Sequence, residues 1–434
     1  MAEPLAGIAT RRVSALLDDL LSTEPVIALH GPRSVGKSTV LRALAEARGV
    51  PVLDLDDVGT RDAVEANPQT AVATPGLLCV DEYQHAPLIL DALKARLNRE
   101  GTLAGTAVLT GSTRQDALRR TAQALTGRLH TMTIWPLSQG EIGGVIEDFL
   151  PALRAEPDAA VAARPTSTTS RKDYVERLCA GGFPLALRRR GTARDRWFDD
   201  YIRQSLERDA VELVRIRQRT MLRELLGRLA GRTAQVLNLT KVSEGLTGER
   251  KTIEEYVRLL EDLFLLDRLP AWGKTLRARA AASPKVHVVD TGVAARLMRV
   301  SAAKLATLEP TSLSEFGHLL ESFVVGELRK QVSWLDEQVT TGHWRTHDGD
   351  EVDYVIEFDD GRVLAFEVKA NERVSGADLK GLRVLRDALG DRLIAGVALS
   401  TGLRSFTYED RIHIMPIDRL WTQISEPSQT NKNH

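Results

Sequence analysis

The 434-residue sequence predicts an α/β protein with a parallel, crossover-connected sheet at its start, a largely helical middle and a second, smaller α/β unit at its end. Three observations carry this. Residues 25–137 alternate short apolar runs (PVIALHG, PVLDLDD, LLCVDE, AVLTGS, RLHTMTIWPLS) with helical patterns, and strands that alternate with helices build a parallel sheet. From about Met221 to Leu269 the pattern is helix, short helix, turn, longer helix and strand. Beyond Pro310 come a long helix, two strands around a tight turn, a helix and a strand. The expected units are therefore 1–150 and 310–425 as the two α/β parts, 151–218 as a linker and helical segment, 219–309 as the middle domain and 426–434 as a disordered polar tail.

Within the first unit, Gly31, Pro32, Arg33, Ser34, Val35, Gly36, Lys37 and Ser38, followed by Thr39, fit G-x-x-x-x-G-K-[ST] between an apolar strand and a helix. That context makes the stretch a P-loop and the unit a P-loop NTPase sheet. Its glycines let backbone N–H groups close around phosphates, Lys37 reaches the β- and γ-phosphates of ATP, and Ser38 supplies an oxygen to Mg²⁺. The strand Leu77 to Val80 ends in two carboxylates, Asp81 to hold the metal through water and Glu82 to orient or deprotonate the attacking water. Ser112, in Thr110-Gly111-Ser112, closes the next strand and is either a γ-phosphate contact or part of a plain turn. Arg114, Arg119, Arg120 and Arg128 are candidates for a transition-state arginine. Arg128 ranks first, and if it serves a neighbouring subunit's nucleotide the protein is a homo-oligomer.

GPRSVGKST, LLCVDEYQHAP, LTGSTR and LTGRLHTMTIWPLSQGEI, followed by PKVHVVDTGVAARL, EFGHLLESFVVGELRK, DEVDYVIEF and FEVKA, together resemble the prokaryotic AAA-plus-type ATPases with an uncharacterised, restriction-endonuclease-like C-terminal region. The resemblance covers nearly the whole chain. It implies an additional-strand P-loop ATPase, a winged-helix-like middle and a PD-(D/E)xK-like end.

Composition limits the partners. Lys+Arg 58 against Asp+Glu 59 gives a formal net charge of -1, so nucleic acid has no global positive field to follow and any DNA or RNA backbone contact must come from local patches. Two cysteines, Cys79 and Cys179, form neither a disulfide framework nor a metal-ligand pattern, and no apolar run is long enough for a signal peptide or a membrane span. The expected setting is the cytoplasm.

In the middle, Leu237 to Leu246 followed by Lys251 to Phe264 reads as a helix-turn-helix, with Ile253, Tyr256, Val257, Leu260 and Phe264 on the buried face of its second helix. The outer face carries Glu254, Glu255, Glu261 and Asp262 against Arg258, which favours packing or partner contact over DNA reading; only Arg250 and Lys251 suit a phosphate. Arg188, Arg189 and Arg190, and the series Arg215, Arg217 and Arg219, are the best candidates for a nucleic-acid backbone track. A solvated face is the commoner explanation.

Near the C-terminal end, Phe358 to Arg362 signals a hairpin with a three-residue loop and Gly361 in the left-handed position. Phe358 then faces Arg362, and counting back sets Asp353 opposite Glu367, with Lys369 on the same face. Val352, Tyr354, Ile356 and Phe358 meet Leu364, Phe366 and Val368 on the core face. Acids facing each other across strands repel unless a cation lies between them. In nucleases of the resembled kind such acids bind Mg²⁺ and the lysine positions water on the scissile phosphate, so Asp353 and Glu367 are expected metal ligands and Lys369 a catalytic group. The resemblance adds Glu321 from the preceding helix, although Glu327 lies nearer the centre of that helix's apolar face and stays the alternate. The competing reading is an ion-paired surface on a half-exposed sheet. Two functions follow: a nucleotide-driven enzyme acting on nucleic acid with a nuclease end, or a regulatory ATPase whose nuclease-like unit only docks a partner. Small-molecule phosphotransfer is disfavoured because Asp81 and Glu82 suit attack by water.

Overall fold

The computed structural model describes residues 5–113, 125–210, 219–246, 248–273 and 283–424. Strands β1 (Val26–His30), β2 (Val52–Asp54), β3 (Leu78–Asp81), β4 (Ala107–Gly111) and β5 (Leu129–Thr133) pair in parallel in the order β2-β3-β4-β1-β5. β4 is thus inserted between the strand that leads into the phosphate loop and the strand that ends in the acid pair. Helix α1 (Lys37–Arg48) packs its Val40, Leu41 and Leu44 on the sheet face of Ile27, Leu29 and Val108; helix α2 (Leu88–Glu100) packs Ile89, Leu93 and Leu97 on the other face, with Val26, Val80 and Leu109. Burial from both sides is why these strands read as continuous apolar runs.

The stretch between Leu153 and Ser170, at the start of the expected linker and helical segment, is folded and tied to the rest of the chain. Phe149–Ala155 and Pro157–Ala163 are helices, Thr166 bridges to Arg404, and the Ser167 and Thr169 hydroxyls both donate to Asp418. Alanines favour helix, and the polar residues find partners about 250 positions away, where no local pattern reveals them. Beyond Ser170 the segment is helical: α3 (Arg171–Ala180) and α4 (Gly191–Gln204), with one wider π-type turn at Ser205–Asp209, bury Tyr174, Val175, Phe198 and Ile202.

The middle contains α5 (Arg219–Ala230), a short helix Leu239–Ser243, α6 (Arg250–Asp262) and an antiparallel sheet of order β6-β8-β7 built from β6 (Gln235–Val236), β7 (Leu266–Leu269) and β8 (Lys285–Val288). Ile253, Tyr256, Val257 and Leu260 are buried. Glu261, expected on the outer face, is buried too, and accepts from Arg268 at 2.5 Å.

Helix α7 (Pro310–Val332) opens with proline at its first turn, where a missing N–H costs nothing. It lies on a six-stranded mixed sheet of order β13-β14-β12-β11-β10-β9, made of β9 (Val339–Arg345), β10 (Glu351–Phe358), β11 (Val363–Lys369), β12 (Leu393–Ser400), β13 (Phe406–Glu409) and β14 (Ile412–Pro416). Helix α8 (Lys380–Leu389) covers the other face. The hairpin pairs Tyr354 with Phe366 and Ile356 with Leu364, and Phe358 N–H donates to Arg362. One part of the facing differs from the alternation: Val352 joins Val355, Val363 and Ala365 under α8, while Tyr354, Ile356 and Phe358 face the α7 side. The register of β10 against β9 shifts between Val352 and Val355, which breaks the period of two there. Nor is the sheet half-exposed, since β10 and β11 are buried on both faces.

One continuous apolar core runs from Val13 through α7 to Ile424. Helix α7 also grips the first unit: Glu327 accepts from the Gln139 N–H at 2.8 Å, and Lys330 donates to the Leu137 carbonyl at 3.0 Å. The tail from 426 onward lies outside the described residues. Among the described residues, no helix is long and apolar enough to cross a membrane.

Candidate functional site

At the end of β1 the chain turns through Gly31, where an added Cβ would lie 2.2 Å from the Ile134 carbonyl oxygen, so no larger residue fits. Gly36 follows in the left-handed region (φ 101°), and α1 begins there with no side chain capping it. Its first-turn N–H groups thus remain available to an anion. Lys37 is buried, and its ammonium donates to the Gly31 and Pro32 carbonyls at 3.0 and 2.9 Å. Burial pulls its pKa down to about 8, with the charge of Glu82 opposing.

Asp81, at the end of β3, accepts from Ser38 Oγ at 3.0 Å and from the Thr110 hydroxyl. Thr110 in turn accepts from the Glu82 N–H at 3.0 Å, so adjacent strands fix the acid pair. Glu82 adopts φ 52°, an uncommon conformation for a residue with a side chain, and Gln84 donates to its carboxylate at 2.5 Å and to Ser112 Oγ at 3.2 Å. Ser112 therefore belongs to this cluster. Ser38 and Asp81 offer hard oxygen donors, and Arg42 comes no closer to Asp81 than 3.9 Å, an arrangement that suits Mg²⁺ held partly through water.

The sequence reading missed Gln84, Thr110 and the surroundings of the loop. A cavity of about 280 Å³ opens on residues Ser34 to Thr39 and Glu82, and its far wall comes from Leu5, Ile8, Leu137, Pro184, Leu185 and Arg188. Arg11 clamps the loop from the same side, donating to the carbonyls of Val35 at 3.4 Å and Trp135 at 2.6 Å. Arg33 pairs with Asp209 of the π-type turn at 3.1 Å. Arg188 thus faces the nucleotide cavity, whereas Arg189 bonds the Leu185 carbonyl, so the triple-arginine run does not present one track. Arg215 and Arg217 lie outside the described residues, as do Arg114, Arg119 and Arg120. Arg250 is paired with Glu254 at 3.2 Å.

Arg128 precedes β5 at the end of the sheet where Leu129 pairs with Val26, while the phosphate loop leaves from the other end, where Thr133 pairs with His30. It donates to Asn98 at 2.7 Å and does not meet its own chain's loop.

In the C-terminal unit the four named residues converge, joined by a fifth. Lys285, the first residue of β8, donates to Glu321 Oε1 and to Asp353 Oδ1, both at 2.7 Å. Asp353 Oδ2 accepts from the Val368 N–H at 2.9 Å, and Lys369 donates to Glu367 Oε1 at 2.8 Å. Lys285 is 2% exposed and Asp353 3%. Burial disfavours charge on Lys285, but Asp353 and Glu321 outweigh it and raise its pKa. Burial and the neighbouring Asp353 push Glu321 well above the usual carboxylate range and Glu367 up to about 8. For Asp353 the pull of Lys285 overcomes burial and lowers the pKa.

This arrangement corrects the expected metal set. Both oxygens of Asp353 and the inner oxygen of Glu321 are already bonded, leaving Glu367 Oε2 as the buried oxygen of the cluster with no hydrogen-bond partner. Among the described residues no group of three His, Cys, Asp or Glu side chains has the spacing to hold a metal ion. As placed, the donors do not fit Mg²⁺. The alternate, Glu327, is committed to Gln139 and to Lys330 at 2.6 Å. A lone lysine on a strand gives no sequence signal, because its partners lie 36 and 68 positions away.

Residues 23–143 match the AAA domain family; 171–304 and 316–420 match two domains of unknown function, DUF8612 and DUF4143. Uncharacterized proteins of Mycobacterium bovis and Mycobacterium tuberculosis are each 26% identical over 420 residues, 96% of this chain and 85% of the relative. Among solved structures, the Walker-type ATPase of Pyrococcus abyssi is 14% identical with a TM-score of 0.41, covering 67% of this chain and 98% of that one. AMPPCP-bound DnaA of Aquifex aeolicus is 13% identical with a TM-score of 0.21, covering 57% and 85%. The N-terminal unit is an AAA-type ATP-binding ATPase domain.

Proposed function

We propose that the protein is a Mg²⁺-dependent ATPase whose nucleotide state governs partner engagement, with the nuclease-like C-terminal unit as a docking module. The observation that carries the first half is the hydrogen-bonded chain of Ser38, Asp81, Thr110, Glu82, Gln84 and Ser112, of which Ser38 and Glu82, with Lys37, line one cavity.

In this reading the triphosphate draws Lys37 away from the Gly31 and Pro32 carbonyls and lies on the free N–H groups of α1. Ser38, and Asp81 through water, would hold Mg²⁺, which would neutralise charge on the phosphates. Glu82 leaves Gln84 and accepts a proton from the water that attacks the γ-phosphorus. The bond from that phosphorus to the β–γ bridging oxygen breaks, giving ADP and inorganic phosphate. Arg128 acts across a subunit interface. Mixing Arg128→Ala with Glu82→Gln chains then restores part of the hydrolysis that each lacks, since some interfaces receive one intact contribution from each side. A monomer with full turnover at every concentration excludes the trans arginine.

The convergence of Asp353, Glu321, Glu367 and Lys369 favours a second reading, cleavage of nucleic acid by the C-terminal unit. Incubating the pure protein with ATP, Mg²⁺ or Mn²⁺ and single- and double-stranded DNA and RNA separates the two. Hydrolysis of ATP without cleavage of any form supports docking. Cleavage lost in Lys369→Ala supports the nuclease.

A further inference from the structure

The C-terminal acidic cluster already contains its cation. We propose that Lys285, delivered from the middle sheet, is the resident counter-ion of Asp353 and Glu321 in the place a divalent metal would need, and that it fastens the middle unit to the C-terminal one.

Lys285 is held at the start of β8 by pairing on both sides, with Val236 of β6 and Leu269 of β7. The chain beyond β7 then joins the C-terminal sheet: Trp272 N–H donates to the His343 carbonyl at 2.6 Å and His343 N–H to the Pro270 carbonyl at 2.9 Å, next to β10. The Lys285 backbone is thus fixed by strands, and its side chain arrives between a helix and a strand of the other unit. At 2.7 Å to each of two carboxylates, its ammonium satisfies both oxygens that face the gap. Burial makes the pairing strong, because a cation without partners at that depth would be expelled or lose its proton.

Charge counting sharpens the point. Asp353, Glu321 and Glu367 face two ammoniums, Lys285 and Lys369, so the cluster has one carboxylate more than it has lysines. Removing Lys285 takes the donor from Asp353 Oδ1 and Glu321 Oε1 beside the unpartnered Glu367 Oε2, while the three acids still lack the spacing that a metal ion needs.

The test uses the full chain without nucleotide, which keeps it independent of whether ATP is hydrolysed. Mn²⁺ is titrated and the free ion followed by electron paramagnetic resonance. Wild type is expected to take up no Mn²⁺ in the sub-millimolar range. Lys285→Met, which keeps the bulk and removes the charge, takes up none either and melts at a lower temperature than wild type. Stoichiometric Mn²⁺ binding by wild type that disappears in Asp353→Asn overturns the proposal, as does a Lys285→Met protein that melts as wild type does. Asp353→Asn alone covers the case in which Lys285→Met does not fold. With Lys285 as resident cation, it lowers the melting temperature equally with and without millimolar Mn²⁺. With a resident metal, it instead abolishes a Mn²⁺-dependent rise seen in wild type, and that result also overturns the assignment.

Discussion

In the N-terminal unit and in the C-terminal unit alike, lysine and carboxylates are gathered into one cluster, yet they are arranged in opposite ways. Lys37 turns away from Asp81 and Glu82 to bond two carbonyls, and the acids bond neutral hydroxyl and amide groups, so every charge there stays exchangeable beside an open cavity. Lys285 instead lies on its acids, at 2.7 Å to each, among buried residues. The same residue types make a ligand site when their charges are kept apart and held by weak neutral partners, and a structural strut when they neutralise one another. Convergence of acids and lysine, by itself, does not distinguish the two.

Variants in each region test this contrast. Glu82→Gln is expected to bind ATP with near wild-type affinity while its turnover falls by about 10² to 10⁴, the contribution typical of a positioned base. Nucleotide titration and phosphate release measured on the same sample check it, and unchanged turnover removes Glu82 from the reaction. Lys285→Met should destabilise folding by about 3–5 kcal/mol, because it strips the cation from two buried carboxylates. Urea unfolding measures that loss, and a change below about 1 kcal/mol, as for a surface pair, would make the strut unimportant. Lys37→Ala is expected to weaken ATP binding about 100-fold, on the order of 3 kcal/mol for charge-assisted bonds to phosphate, without lowering stability comparably. A melting curve beside a binding curve decides whether the two lysines have the separate roles assigned to them.

The smallest effect is the pH dependence of ATP binding. Nucleotide-free Lys37 loses its proton above about 8, because burial disfavours the ammonium. The bound state needs the ammonium, so binding takes up a proton above that pH. Affinity is therefore expected to be level below about pH 8 and to fall by up to about tenfold per unit above it. Affinity that rises between pH 8 and 9 contradicts a buried, easily deprotonated lysine at the phosphate loop.

Local pattern carried the N-terminal site a long way. A glycine that must approach Ile134, a glycine in the left-handed region and a helix without a capping side chain are all consequences of the stretch from Gly31 to Ser38. The hairpin loop at Gly361 likewise sets the register that places Asp353 across from Glu367. Contributions from far along the chain were not legible. Leu5, Ile8, Pro184 and Arg188 wall the nucleotide cavity, yet nothing in their neighbourhoods marks them as parts of it. Arg128 stands out by sequence setting, but its position relative to the loop follows from strand direction and pairing.

The sequence alone determined what depends on neighbours in the chain: the alternation that makes a parallel sheet, the phosphate loop, the acid pair at the end of β3 and the hairpin that brings Asp353, Glu367 and Lys369 together. The tertiary structure decided what depends on contact between distant segments. It packed Phe149–Ala155 and Pro157–Ala163 as helices, put Glu327 on the Gln139 backbone and set Lys285 between Glu321 and Asp353. The physical reason is that backbone geometry fixes spacing over a few residues, whereas the partner of a buried charge is whichever group the fold carries into reach.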